Sequence, residues 1–305
     1  MRTGSRTASH IWKAIQQLNP AGTIREAEKP FKLALVVRDE SDLHGINVCL
    51  LGDRHSQTEA SSMDEVLQIY REPLDDLQSA AIKKADFVLA TEGALSGVPI
   101  IAERLFLLDT LDPGESMKAV LESEAGKELR LAIGRRFPAL RQEVARKIVR
   151  DISMENAVFV IATALGDYIP SWLLPLIGIA EAASDTAFLT ANQVRMLFNL
   201  GAVYDVGVGY AAQWKEISSI VGAAFGWRAL ARELVSKIPF GGGIIPKGAI
   251  AYAGTVAAGE GLIFFYTTGR HMTRSEMSQT FKKTYSRGLD VVRSLVGKSR
   301  PDASE

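Results

Sequence analysis

The chain has 305 residues, 47% of them hydrophobic and 23% charged, with 35 basic residues balancing 35 acidic ones. That composition excludes a disordered chain, and zero net charge gives the whole chain no bias toward nucleic acid, so no nucleic-acid partner is expected. The single cysteine, Cys49, excludes an internal disulfide framework and a cysteine-based zinc site.

Mean hydropathy is +0.07, which is high for so charged a chain, so the apolar residues must be concentrated in segments. The start of the chain, Met1 to Arg6, has no apolar run behind it, and no secretory signal is expected. Residues 1–30 are polar, but Ile11, Trp12, Ile15 and Leu18 have helical spacing and predict a short amphipathic helix. Asn19, Pro20, Ala21 and Gly22 end it.

Residues 31–112 read as a small α/β unit. Leu33 to Val37 predicts one strand, Val48 to Leu51 a second and Asp86 to Ala90 a third, and Pro99 to Ala102 starts a fourth, before Leu105 to Leu108. Met63 to Tyr70 and Leu74 to Ala85 read as helices between them. Short apolar strands alternating with helices imply a largely parallel sheet.

From Pro113 the pattern is helical, and residues 113–270 are expected to form an apolar multi-helix domain. The fold class is therefore α+β, mainly α. Ser116 to Leu131 is amphipathic, and Arg135 to Arg150 is basic with one acid, Glu143. Ala157 to Ala180 carries one formal charge, Asp167, and is interrupted by Pro170 and Pro175. The prolines argue for two short helices, a broken helix or a re-entrant hairpin rather than one straight span. Glu181 to Leu200 and Glu216 to Lys237 predict two further helices. Ile244 to Thr267 is the last apolar stretch, with only Lys247 and Glu260 charged, and residues 271–305 read as a basic polar tail.

Chemistry-bearing motifs are sparse. Gly241 to Gly248 imitates a phosphate-binding loop, but Pro246 stands where a second glycine supplies an amide N–H, and Gly248 stands where a hydroxyl binds magnesium. It reads as a turn between two helices, with Gly241 to Gly243 allowing a sharp reversal. The first strand runs into Arg38, Asp39, Glu40, Ser41 and Asp42, where carboxylates would oppose a phosphate. No guanine-reading Asn-Lys-x-Asp motif occurs. His10, His44, His55 and His271 are far apart and lack metal-ligand spacing. Asp109 and Asp112 are three apart and could place two carboxylates together, but Asp112-Pro113-Gly114 reads as a turn or helix start. No catalytic residue, cofactor or metal is expected.

Two patterns point to packing and to membrane. Ala249, Ala253, Ala257 and Gly261 recur every four positions, with Gly254 and Ala258 as a parallel pair. A stripe of small residues lets another backbone approach closely, within the chain or in an oligomer. Glu260 beside it reads as a solvent-facing helix residue or, more sharply, as a buried partner of a cation. The basic run before Ala157 places Arg146, Lys147 and Arg150 as contacts to anionic lipid, with Tyr168 and Trp172 at the membrane interface.

Leu189-Thr190-Ala191-Asn192-Gln193-Val194-Arg195-Met196, Ala202-Val203-Tyr204, Phe225 to Leu234, Lys237-Ile238-Pro239 and Ala249 to Thr255 occur in that order. Arg136 to Arg141 and Asn156-Ala157 lead into them. Together these motifs, over roughly residues 135–270, resemble the YcjF-like helical domain family of unknown function. That domain follows the GTPase domain of bacterial Era-type GTPases and occurs in inner-membrane proteins. The resemblance implies a helical, membrane-associated protein on the cytoplasmic side of the inner membrane, a scaffold or partner of a GTPase, with 31–112 as a degenerate GTPase-like unit. GTP hydrolysis does not carry over, because the phosphate loop and guanine motif are missing. A soluble cytoplasmic interaction module and a cryptic nucleotide binder using Arg38 to His44 or Gly52 to His55 are the alternatives.

Overall fold

The computed structural model describes residues 2–38, 50, 66–98, 103–109, 113–165, 185–222 and 243–298. Contacts divide the chain into two units, Gly22–Val144 with Ala202–Val206, and Met1–Ala21 with Ala145–Gly201 and Gly207–Glu305. The molecule is mainly helical with one small parallel sheet, the α+β, mainly α class read from the sequence.

The first unit is built on four strands: β1 (Leu33–Val37), β2 (Leu67–Arg71), β3 (Phe87–Thr91) and β4 (Leu105–Leu108), in the order β2-β1-β3-β4. All three pairings are parallel, with Leu33 opposite Leu67 and Phe87, and Val88 opposite Leu105. The central strands β1 and β3 are buried at every position, which is why both read as continuous apolar runs. The edge strands are half-exposed, and Ile69 and Leu107 face solvent. Ala34, Val36, Val88 and Ala90 pack with Ile82, Ala85, Ala94 and Val98 in one core cluster.

The described helices are α1 (Arg2–Gln16), α2 (Pro20–Ala27), α3 (Asp76–Ile82), α4 (Pro113–Glu122), α5 (Glu124–Glu128), α6 (Arg130–Arg136), α7 (Arg141–Leu165), α8 (Asp185–Val203), α9 (Ile244–Thr268) and α10 (Arg274–Lys298). Residues 214–222 are also helical. In α3 a capping box fixes the start: Gln78 N donates to Asp75 Oδ1 (2.7 Å) and Asp75 N donates to Gln78 Oε1 (3.1 Å). Pro20 opens α2, where its missing N–H is harmless. In the same unit Phe31 meets Phe87 and Phe137 edge-on, at ring distances of 6.2 and 5.9 Å.

Several sequence expectations are corrected. Of the helix expected over Met63–Tyr70, the described part is a turn at Val66 followed by strand β2 (Leu67–Arg71). Met63, Val66, Leu67 and Tyr70 fall on one helical stripe, but Leu67, Ile69 and Arg71 also alternate, and pairing with β1 selects the strand. Of the strand expected at Val48–Leu51, only Leu50 is described, and it is helical and buried. The basic tail expected over 271–305 is helix α10 from Arg274 to Lys298, packed on α9. Arg135 and Arg136 of the basic run end α6, Pro138 lies in a short 3₁₀ turn, and the rest of the run from Arg141 continues with the start of the apolar run in one helix, α7.

In the second unit α1 inserts Ile11 and Ile15 among Val194, Leu197 and Phe198 of α8 and Ile217 and Ile220. Trp12 meets Trp214 edge-on at 5.9 Å. Tyr210 Oη donates to the Ile15 carbonyl (2.8 Å) and lies 2.9 Å from that of Leu18, which satisfies carbonyls left open at the end of α1.

Candidate functional site

The feature that organises the second unit is α9, 25 residues long and about 37 Å from end to end. It begins inside the phosphate-loop lookalike. Gly243 is its N-cap in extended conformation, and Pro246, Lys247 and Gly248 are helical. Pro is tolerated there because N–H groups of a first turn have no intrahelical acceptor. The described part of this stretch is thus a helix start.

The small-residue stripe faces α10. Ala249, Ala253 and Ala257 have no exposed surface. Phe281 packs on Ala253 and Ala257, with Met277 and Tyr285 beside it. At Gly288 the two backbones come so close that a Cβ would sit 3.0 Å from the Ala249 carbonyl oxygen. A Cβ on Gly261 would meet Met277 Cε at 2.9 Å. Gly254 is buried and Ala258 half-buried. The stripe therefore serves packing within the chain. Its use by a second copy would require α10 to leave, since α10 already occupies Ala249, Ala253 and Ala257. Glu260 is half-buried.

The opposite side of α9 meets α7 and α8. A Cβ on Gly259 would lie 2.4 and 2.6 Å from the Val149 methyls and 3.1 Å from Met196 Sδ, so only glycine fits. This contact was outside the four-residue stripe. Three buried polar side chains bridge the same helices. Asn192 Nδ2 donates to Asn156 Oδ1 (2.8 Å), and Asn156 Nδ2 donates to Thr255 Oγ1 (2.8 Å). Thr255 Oγ1 in turn donates to the Ala251 carbonyl (2.8 Å). Each is at least nine-tenths buried, so each bond replaces a hydration that water cannot supply there. Arg195 of α8 pairs with Glu155 of α7 beside this chain.

A turn closes α9 onto α10. Gly269 adopts φ 73° and donates to the Phe265 carbonyl (2.8 Å), an end that favours glycine. Thr273 and Glu276 form a capping box for α10. Arg270 grips Glu276 through two nitrogens (3.1 and 2.9 Å) and lies 4.3 Å from the centre of the Phe264 ring. The Arg270 guanidinium and the Thr273 donors hold the Glu276 carboxyl down at about 2. His271 is exposed and stacks on Phe265 at 4.4 Å.

Of the residues expected to touch lipid, Arg146 and Arg150 are exposed on α7. Lys147 is 6% exposed, which removes it from the headgroup contacts: the helical turn that sends Arg146 and Arg150 outward points Lys147 inward with Val144 and Ile148. Tyr168 and Trp172 lie outside the described residues, as do His44, His55 and Asp112. His10 is exposed. The Asp109 N–H donates to Ser116 Oγ (3.0 Å), and Pro113 is the first residue of α4. A pocket of about 230 Å³ beside Ala258 and Gly261 is lined by Gln193, Glu216, Leu262, Met272 and Met277. It is smaller than the roughly 300–1,000 Å³ of ordinary small-molecule sites.

Comparison with known protein families, curated proteins and solved structures finds no match.

Proposed function

We propose that the chain is a non-catalytic, membrane-associated helical protein that acts as a scaffold or as the partner of a GTPase. The observation that carries the membrane reading is α9. Among the described residues it is the one helix long and apolar enough to cross a bilayer, and half of its apolar window is buried within the chain. The GTPase partner rests on the family resemblance alone. The non-catalytic part rests on the sequence, in which chemistry-bearing motifs are sparse.

The position of α10 supports one kind of association over another. It runs back along α9, from Met277 beside Gly261 to Val292 beside Gly248. Lys282, Lys283 and Arg287 on its outer side are exposed. Each such charge costs about 2.5–3.5 kcal/mol at a bilayer centre. With α10 in place, α9 supports association at the membrane surface, while Ala157 to Ala162, the described start of the other apolar stretch, belong to the core.

A second reading has its own observation. Because α10 fills the small-residue stripe, α9 also fits the core helix of a soluble interaction module. Fractionation of cells expressing the full chain separates the two. Recovery with membranes at physiological salt supports the first reading. A monodisperse species wholly in the soluble fraction overturns it in favour of the second.

A further inference from the structure

The outer face of α10 has no partner within the described chain, and its chemistry is one-sided. Phe281, Gly288 and Val292 are its buried positions, with Met277, Tyr285 and Leu295 half-buried around them. That spacing fixes which side lies on α9. The other side carries Ser275, Gln279, Lys282, Lys283, Ser286, Arg287, Asp290, Arg293 and Ser294, all exposed.

This face holds four cations against one carboxylate, and Asp290 is already paired with Arg293 (3.2 Å). Lys282, Lys283 and Arg287 have no acidic partner among the described residues. They lie within about 8 Å along the helix axis, and the side chains between them are small and polar. The face offers no apolar wedge to insert into lipid and no aromatic ring on which a base could stack. A partner must therefore be recognised by dense negative charge presented to a straight helix lying along it.

From this we infer that α10 lies flat on an anionic lipid surface, with Lys282, Lys283 and Arg287 at the headgroups and α9 one layer above. The inference rests on the membrane reading and adds to it the lipid class and the contact face. A helix backed by α9 along its length is already held straight, so binding orders only the ends of three long side chains. Lysines and arginines near an anionic bilayer contribute about fivefold each in partition, and the attraction falls with salt as the Debye length shortens.

The test uses the purified full chain and sedimentation with phosphatidylcholine vesicles, with and without phosphatidylglycerol. The expected result is binding that needs phosphatidylglycerol and is lost at about 1 M salt. The variant K282E/K283E/R287E should weaken it by about a hundredfold or more, and the milder K282Q/K283Q should fall between, with helix content unchanged in both. Equal binding of the reversal variant and the parent, or equal binding to neutral vesicles, overturns the inference while leaving apolar membrane association intact. Failure to bind either vesicle, or tighter binding to an oligonucleotide than to phosphatidylglycerol vesicles, also overturns it. The membrane reading itself is judged by cell fractionation, where the same charge reversal leaves the apolar segments unchanged.

Discussion

Replacing Asn156 with leucine tests the polar chain at the centre of the helical unit. The side chain is fully buried, and leucine keeps its branched outline at a larger volume, so the change removes hydrogen bonds and opens no cavity but adds some overpacking. Two bonds are lost, one from Asn192 and one to Thr255. Thr255 keeps its bond to the Ala251 carbonyl, so it is not stranded. Asn192 Nδ2 loses its acceptor in a nearly waterless site, at a cost of about 1–3 kcal/mol, and the second bond is worth about 0.5–1.5 kcal/mol. The expected total is roughly 2–4 kcal/mol, a large share of the ~5–15 kcal/mol typical of a folded domain. All four tryptophans, Trp12, Trp172, Trp214 and Trp227, belong to the second unit, so tryptophan fluorescence during urea unfolding reports that unit alone. Adding Asn192→Leu removes the stranded donor and should recover about 1–2 kcal/mol of the loss. A single-variant loss under about 0.5 kcal/mol, or no recovery in the double variant, would refute the assignment of this chain as a stabilising bridge.

Other outcomes follow from the same packing. Gly259→Ala drives a methyl into Val149 and Met196 and should cost about 1–3 kcal/mol, whereas Gly297→Ala meets nothing within 4 Å and should be neutral or slightly stabilising by the same fluorescence assay. Ala253→Leu and Ala257→Leu overfill the face held by Phe281 and should each cost about 1–3 kcal/mol; an unchanged unfolding midpoint would count against the close approach of α9 and α10. For pH, the Glu276 carboxyl is depressed from 4.5 to about 2, so its contribution is present above the ordinary value and is lost as pH falls toward 2. NMR titration of this carboxyl should give a midpoint near 2, moving up toward 4.5 when Arg270 becomes alanine; a midpoint unmoved by that change would show that Arg270 is not the cause.

Much of the fold is legible in the sequence where burial leaves a simple mark. Leu33–Val37 and Phe87–Thr91 are apolar at nearly every position because both faces of a central parallel strand are covered. The edge strand β2 is ambiguous because its apolar residues satisfy a helical stripe and an alternation at once, and only its pairing with β1 resolves the choice. Helix α10 hides as a tail because the apolar residues that seat it, from Met277 to Leu295, are spread among many charged and polar ones and become a face only beside α9. The small-residue stripe is visible in sequence, but its occupant is not. Gly259 carries no periodic signal, since its need for glycine comes from Val149 and Met196 on two other helices. The Asn156, Asn192 and Thr255 chain joins residues 36 and 99 positions apart, beyond any local pattern. Lys147 sits in a basic run that reads as a solvated face, and only the helix's rotation against its neighbours shows it turned inward.

The central claim, association with a membrane through a helical unit, is tested most directly by gradient flotation of lysate from cells expressing the full chain at native level. The account predicts that the protein rises with the membranes at physiological salt. A protein that stays at the bottom of the gradient as a soluble, monodisperse species would contradict it and assign α9 to the core of a soluble module.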